Sequence, residues 1–259
     1  MEFLRPSRKR TVISETVYVL LNVALAVAIL IVTDVTTSLV ATIGLVLLSK
    51  WRVLAVRPQF WATNVLANAV DVIVGVSFAI FLNATIGQLP AQIGLTILYI
   101  LWLLLLKPKT RRKWVLPQAG VSFFVGLNAL AVVSYNWWSS IVVLVAWVIG
   151  YSAARHVLAA YSEKHYALLS LIWAMVTAEL AWIGFHWSFA YPIGLGSHLL
   201  LSQTAVISTV VGFLSERVYA AYRKAGEHRV RLSDIGVPLV FSLSIIIVLL
   251  TIFNGVKTI

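Results

Sequence analysis

The stretch ATNVLANAVDVIVGVSFAIFLN, residues 62–83, is apolar along most of its length but carries Asn64, Asn68 and Asp71 in its first half. At about 1.5 Å of rise per residue it reaches about 33 Å as a helix, enough to cross a hydrocarbon layer of about 30 Å. The three polar residues are spaced i, i+4 and i+7, which places them on one stripe of that helix. The stretch therefore reads as a membrane-spanning helix with a single polar seam.

The rest of the chain agrees. Of its 259 residues 61% are hydrophobic and 11% charged, too few polar groups to cover a soluble protein's surface. Apolar runs fall at 11–32, 36–49, 62–83, 91–106, 115–134, 139–160, 166–187, 194–216 and 236–255. The expected fold is all-α, a polytopic membrane bundle of about nine transmembrane helices in one domain with no soluble domain. The second and fourth runs are short, and barely span. The opening MEFLRPSRKR resembles the charged region of a signal peptide, but cleavage after the ALA at 24–26 would halve the first run, so a retained helix is expected.

Basic residues orient the bundle. Arg8, Lys9 and Arg10 precede the first run, Lys50 follows the second, and Lys107, Lys109, Arg111, Arg112 and Lys113 follow the fourth. With the amino end inside and the carboxyl end outside, nineteen of the twenty Lys and Arg lie on the cytoplasmic side, only Lys257 lying outside. Short loops retain basic residues on that side. The formal charge of +11 is thus a topological signal and an attraction to anionic lipid headgroups, not a nucleic-acid surface. Very short loops and the absence of cysteine suit a prokaryotic plasma membrane.

Without cysteine there are no disulfides, thiolate metal sites or thiol nucleophiles. No Walker A loop, HExxH or GxSxG occurs, and one aspartate in the seam is too few for a magnesium pyrophosphate site. No cofactor and no metal are expected. Two similar segments, RHVLAAYSEKH at 155–165 and RVYAAYRKAGEH at 217–228, each run from a helix end into a cytoplasmic loop.

Ionisable groups at membrane depth mark candidate sites. Asn64, Asn68 and Asp71 form an inner-half group, and Glu179, His186 and His198 an outer-half group. No Lys or Arg lies inside a helix to neutralise the carboxylates, Arg155 near the inner boundary coming nearest, so Asp71 and Glu179 are expected as neutral acids or as groups exchanging protons with water. Each group has two open readings, a hydrogen-bonded joint between helices or a station on a substrate or proton path. Three functions follow in order: a small transporter or permease-like component, with or without proton coupling; a scaffold or assembly subunit with a membrane-protein partner or a second copy; and an intramembrane enzyme acting on lipid.

Overall fold

The computed structural model describes residues 12–109, 111–187, 189–192, 199–225 and 231–251. Nine α-helices occur among them: α1 (Val12–Thr36), α2 (Leu39–Ser49), α3 (Trp61–Ala84), α4 (Leu89–Leu101), α5 (Arg112–Val133), α6 (Ser139–Ala160), α7 (Tyr166–His186), α8 (Gln203–Ala225) and α9 (Leu232–Thr251). The chain is an all-α polytopic membrane bundle. Seven of its helical segments are long and apolar enough to cross a bilayer, α4 qualifying with the π-helical turn Trp102–Leu106 that extends it.

The two exceptions are informative. Helix α2 has 11 residues, about 16 Å, half a hydrocarbon thickness. It starts two residues after α1, where Ser38 Oγ accepts from the Ala41 amide, and the buried Thr33 and Thr42 hydroxyls bond at 3.2 Å across the pair. Helix α8 is too polar, and it begins at Gln203, not at the expected 194. Residues Ala190–Pro192 (β1) and Leu200–Ser202 (β2) instead pair as an antiparallel hairpin. Asn128 of α5 holds it, accepting from the Ser202 amide at 2.7 Å and donating to the Leu200 carbonyl at 3.3 Å. Those backbone groups are spent on the hairpin, so the helix starts after it.

Small residues let the helices approach closely, as membrane packing requires where burial of apolar surface supplies no drive. A Cβ on Gly150 of α6 would fall 2.5 Å from Thr177 Oγ1 of α7, and one on Gly126 of α5 would fall 2.8 Å from Ile73 of α3. The core divides in two. One cluster joins α1 to α4 around Ile29, Val46, Val74 and Tyr99; the other joins α5 to α8 around Phe123, Ala146 and Ala205.

Candidate functional site

Asp71 is not without a cation. Lys50 and Lys107 both pair with its Oδ2, Lys107 at 3.0 Å, and Trp102 Nε1 donates to Oδ1 at 3.3 Å. The expectation of an uncompensated acid fails because both lysines follow short helices. Asp71 lies about 20 Å along α3 from its end at Ala84. Half-length α2 brings Lys50 to about the same depth from the same face. In α4 the π-helical turn Trp102–Leu106, closed by the Lys107 amide on the Trp102 carbonyl at 2.9 Å, puts one more residue into the turn and carries Trp102 and Lys107 onto the side facing Asp71. Such interruptions concentrate at functional sites.

The cluster is tightly enclosed. The side chains of Lys50 and Asp71 are 9% and 13% exposed, against 33% for Lys107. With both lysines charged it holds two cations for one anion. Gly75, one turn beyond Asp71, leaves the room: a Cβ there would meet Val46 at 2.8 Å and the Tyr99 hydroxyl at 3.2 Å.

From the cluster a polar stripe runs up α4. Gln88, Gln92, Thr96 and Tyr99 recur at four, four and three residues and share one face, which is buried: Gln92 and Tyr99 are each 1% exposed. Thr96 donates back to the Gln92 carbonyl. Among the described residues the buried atoms Gln88 Oε1, Gln92 Nε2 and Tyr99 OH have no hydrogen-bond partner. Buried polar atoms are normally satisfied, so three orphans in one file set this face apart from the rest of the apolar core. From Gln88 to Lys107 the file covers about 28 Å, close to the full hydrocarbon layer.

The remaining candidates sort differently. Asn64 donates to the Val53 carbonyl at 3.3 Å and so fastens the loop before α3, as does Trp61 Nε1 on the Leu54 and Val56 carbonyls, whereas Asn68 bonds within α3 to the Asn64 carbonyl at 2.9 Å. Glu179 and His186 do not join Asp71. Both lie exposed on the outer side of α7, and Glu179 has no polar partner among the described residues. Neither lines the cavity of about 340 Å³ that α5 to α8 enclose beneath the hairpin. His198, Arg8, Lys9 and Arg10 lie outside the described residues. Lys109 and Lys113 sit over the Trp114 ring at 5.9 and 5.8 Å, and Arg111 is exposed at the start of α5.

Sequence reasoning read Lys50 and Lys107 as topology residues only, and it missed Trp102 and the α4 stripe. The signal was present in the two short apolar runs, each of which ends on a lysine. Comparison with protein-family models, with curated proteins and with solved structures returns no match.

Proposed function

We propose that this chain is a small membrane transport component, moving a small anionic or polar solute, or a proton, along the α4 stripe to the Lys50–Asp71–Lys107 cluster. The basic loops and the amino end would face the cytoplasm of a prokaryotic cell. The carrying observation is a cluster of two lysines on one aspartate, built where a half-length helix and a π-helical turn interrupt the bundle, at the foot of a file of orphaned buried polar atoms. Interrupted helices that aim polar groups at mid-membrane are a recurring construction for solute and ion sites. Chemically, the excess ammonium supplies an anion site, and the shared carboxylate keeps it from being a bare charge when empty.

The test uses the full chain in proteoliposomes with an internal pH-sensitive dye, an imposed diffusion potential, and a panel of small inorganic and carboxylate anions. Flux is expected in the native protein and is lost in Asp71→Asn and Gln92→Leu, with Glu179→Gln unchanged. Native flux in both of the first two variants refutes the route.

A second reading, assembly with another membrane protein, has its own observation. Leu168, Ile172, Met175, Glu179, Trp182 and His186 follow alternating spacings of four and three along α7, and all six are exposed. That is the spacing of a helix-packing seam, and polar residues in such a seam set register and partner. If assembly is the function, Glu179→Leu abolishes co-purification of the partner and no solute moves through the native protein.

A further inference from the structure

In the second half of the bundle a cavity of about 510 Å³ lies between α5, α6, α7 and α8 toward the basic end. That volume falls within the range of roughly 300–1,000 Å³ found for small-molecule sites. Its walls are apolar or aromatic apart from Thr209, Ser215, Glu216 and Tyr219. The helical spacing fixes which side chains head each wall. On α5 the lining residues Leu116, Gly120 and Phe123 continue the face of Arg112, and on α8 Gly212, Glu216 and Tyr219 continue to Arg223. On α6 Ala154 and Val157 continue to Tyr161.

The three headers meet. The Arg112 guanidinium lies 4.4 Å from the centre of the Tyr161 ring and that of Arg223 lies 5.7 Å from it, and Arg223 donates to the Tyr161 carbonyl at 2.9 Å. Tyr161 OH donates to Glu216 Oε1 at 3.2 Å. The Glu216 carboxylate is answered by Arg217, whose Nε is 3.4 Å from Oε2, near enough for charge attraction but not aligned as a hydrogen bond. Glu163, another acid at this end, is bound by Tyr219 OH. Arg112 and Arg223 make no ion pair among the described residues. Helix α5 also begins there without a side-chain cap, leaving its first amides directed at the same end.

An apolar slot headed by two guanidiniums that no carboxylate pairs among the described residues has the polarity of an anionic phospholipid. The wall from Arg112 to Phe123 is about 16 Å long, the depth of one leaflet's hydrocarbon. We propose that this cavity is a specific site for a membrane phospholipid with an anionic headgroup, one acyl chain lying in the slot and the phosphate held between Arg112 and Arg223 over Tyr161. The site is separate from the α4 route and does not depend on it. The two similar segments found in the sequence thereby acquire a common place, since Tyr161 comes from one and Arg217, Tyr219 and Arg223 from the other.

The test takes the delipidated full chain in detergent, adds phosphatidylglycerol, phosphatidylcholine or inorganic phosphate, and counts retained molecules by native mass spectrometry. One phosphatidylglycerol is expected to be retained in preference to phosphatidylcholine, with affinity falling roughly tenfold for each of Arg112→Gln and Arg223→Gln. Gly120→Phe, at a glycine with no atom within 4 Å of an added Cβ, fills the slot and abolishes retention. Gly94→Phe, equally unobstructed on α4, leaves it intact. A phosphatidylglycerol carrying a photoreactive group in its chain cross-links to peptides of α5 and α8, a readout that needs no variant. Equal retention of both lipids, or cross-links spread over all helices, means ordinary annular lipid and overturns the proposal. So does displacement by inorganic phosphate alone, which would mean a headgroup site without a chain.

Discussion

Replacing Asp71 by Asn removes the one anion between two ammoniums while keeping the side chain's shape. The cluster then carries two like charges, one on a side chain only 9% exposed, with no carboxylate to answer either. Removing one partner from a buried ion pair costs about 3–5 kcal/mol, because the remaining charge stays desolvated. The partial exposure of Lys107 lets one of the two charges turn toward solvent, which puts the expected cost at the low end, about 3 kcal/mol. Lys50→Met acts in the opposite sense, since it leaves Asp71 balanced by Lys107 at 3.0 Å and replaces an ammonium by an apolar chain of similar length. Its cost is expected to stay within about 1 kcal/mol, as for replacements of buried charge by well-packed apolar groups. The double variant returns to one excess charge, on the more exposed lysine, and recovers most of the loss. The assay is thermal unfolding in detergent followed by the fluorescence of the ten tryptophans. For a chain of this size a 3 kcal/mol loss lowers the apparent midpoint by roughly 6–12 °C. Lys50→Met as damaging as Asp71→Asn, or additive losses in the double variant, would refute charge imbalance as the organising feature of the cluster.

Three further outcomes are expected. Gly150→Val drives its side chain into Thr177 across the α6–α7 contact, with overpacking costing about 1–3 kcal/mol in the same unfolding assay, whereas Gly44→Val meets nothing within 4 Å at its Cβ and changes little. The Tyr219 hydroxyl holds the Glu163 carboxyl below the ordinary glutamate range. A depressed acid contributes its tie fully above that range and loses it as pH falls through the lowered value, so the protection of α6–α7 loop amides, relative to their unstructured exchange rate at each pH, should fall on acidification in the native protein and be low at all pH in Tyr219→Phe. Glu179→Leu removes an unpaired carboxyl from an exposed face, so the isolated chain should lose no stability; a lowered unfolding temperature would mean that Glu179 has a partner within the chain.

The unequal fates of the two candidate groups show how far a helical pattern reaches. Spacing alone put Asn64, Asn68 and Asp71 on one half-buried face, yet Asn64 fastens a loop, Asn68 bonds within its own helix and Asp71 holds a charge cluster. Glu179 and His186 have the same seven-residue spacing as Asn64 and Asp71, and their face turns outward. Nothing local distinguishes the two cases, because periodicity says which residues share a face and not what that face meets. The polar stripe on α4 was equally regular, but its residues are uncharged and individually common in helices. It gains meaning only when Gln92 and Tyr99 prove to be fully buried and without partners.

The sequence by itself determined that this is an all-α membrane bundle, because apolar length and the hydrocarbon thickness settle that question; of the nine transmembrane helices it led us to expect, seven helical segments among the described residues are long and apolar enough to span. It also led to the expectation that the basic residues lie on one side of the membrane. Tertiary structure alone decided that Asp71 is an ion-paired centre, for that depends on where helices stop relative to one another. An 11-residue helix and a π-helical turn bring two lysines from the ends of their segments to the depth of the aspartate, and flexible four-carbon side chains cover the remaining distance. In one dimension those lysines are loop residues 21 and 36 positions away from Asp71; in three they are its partners.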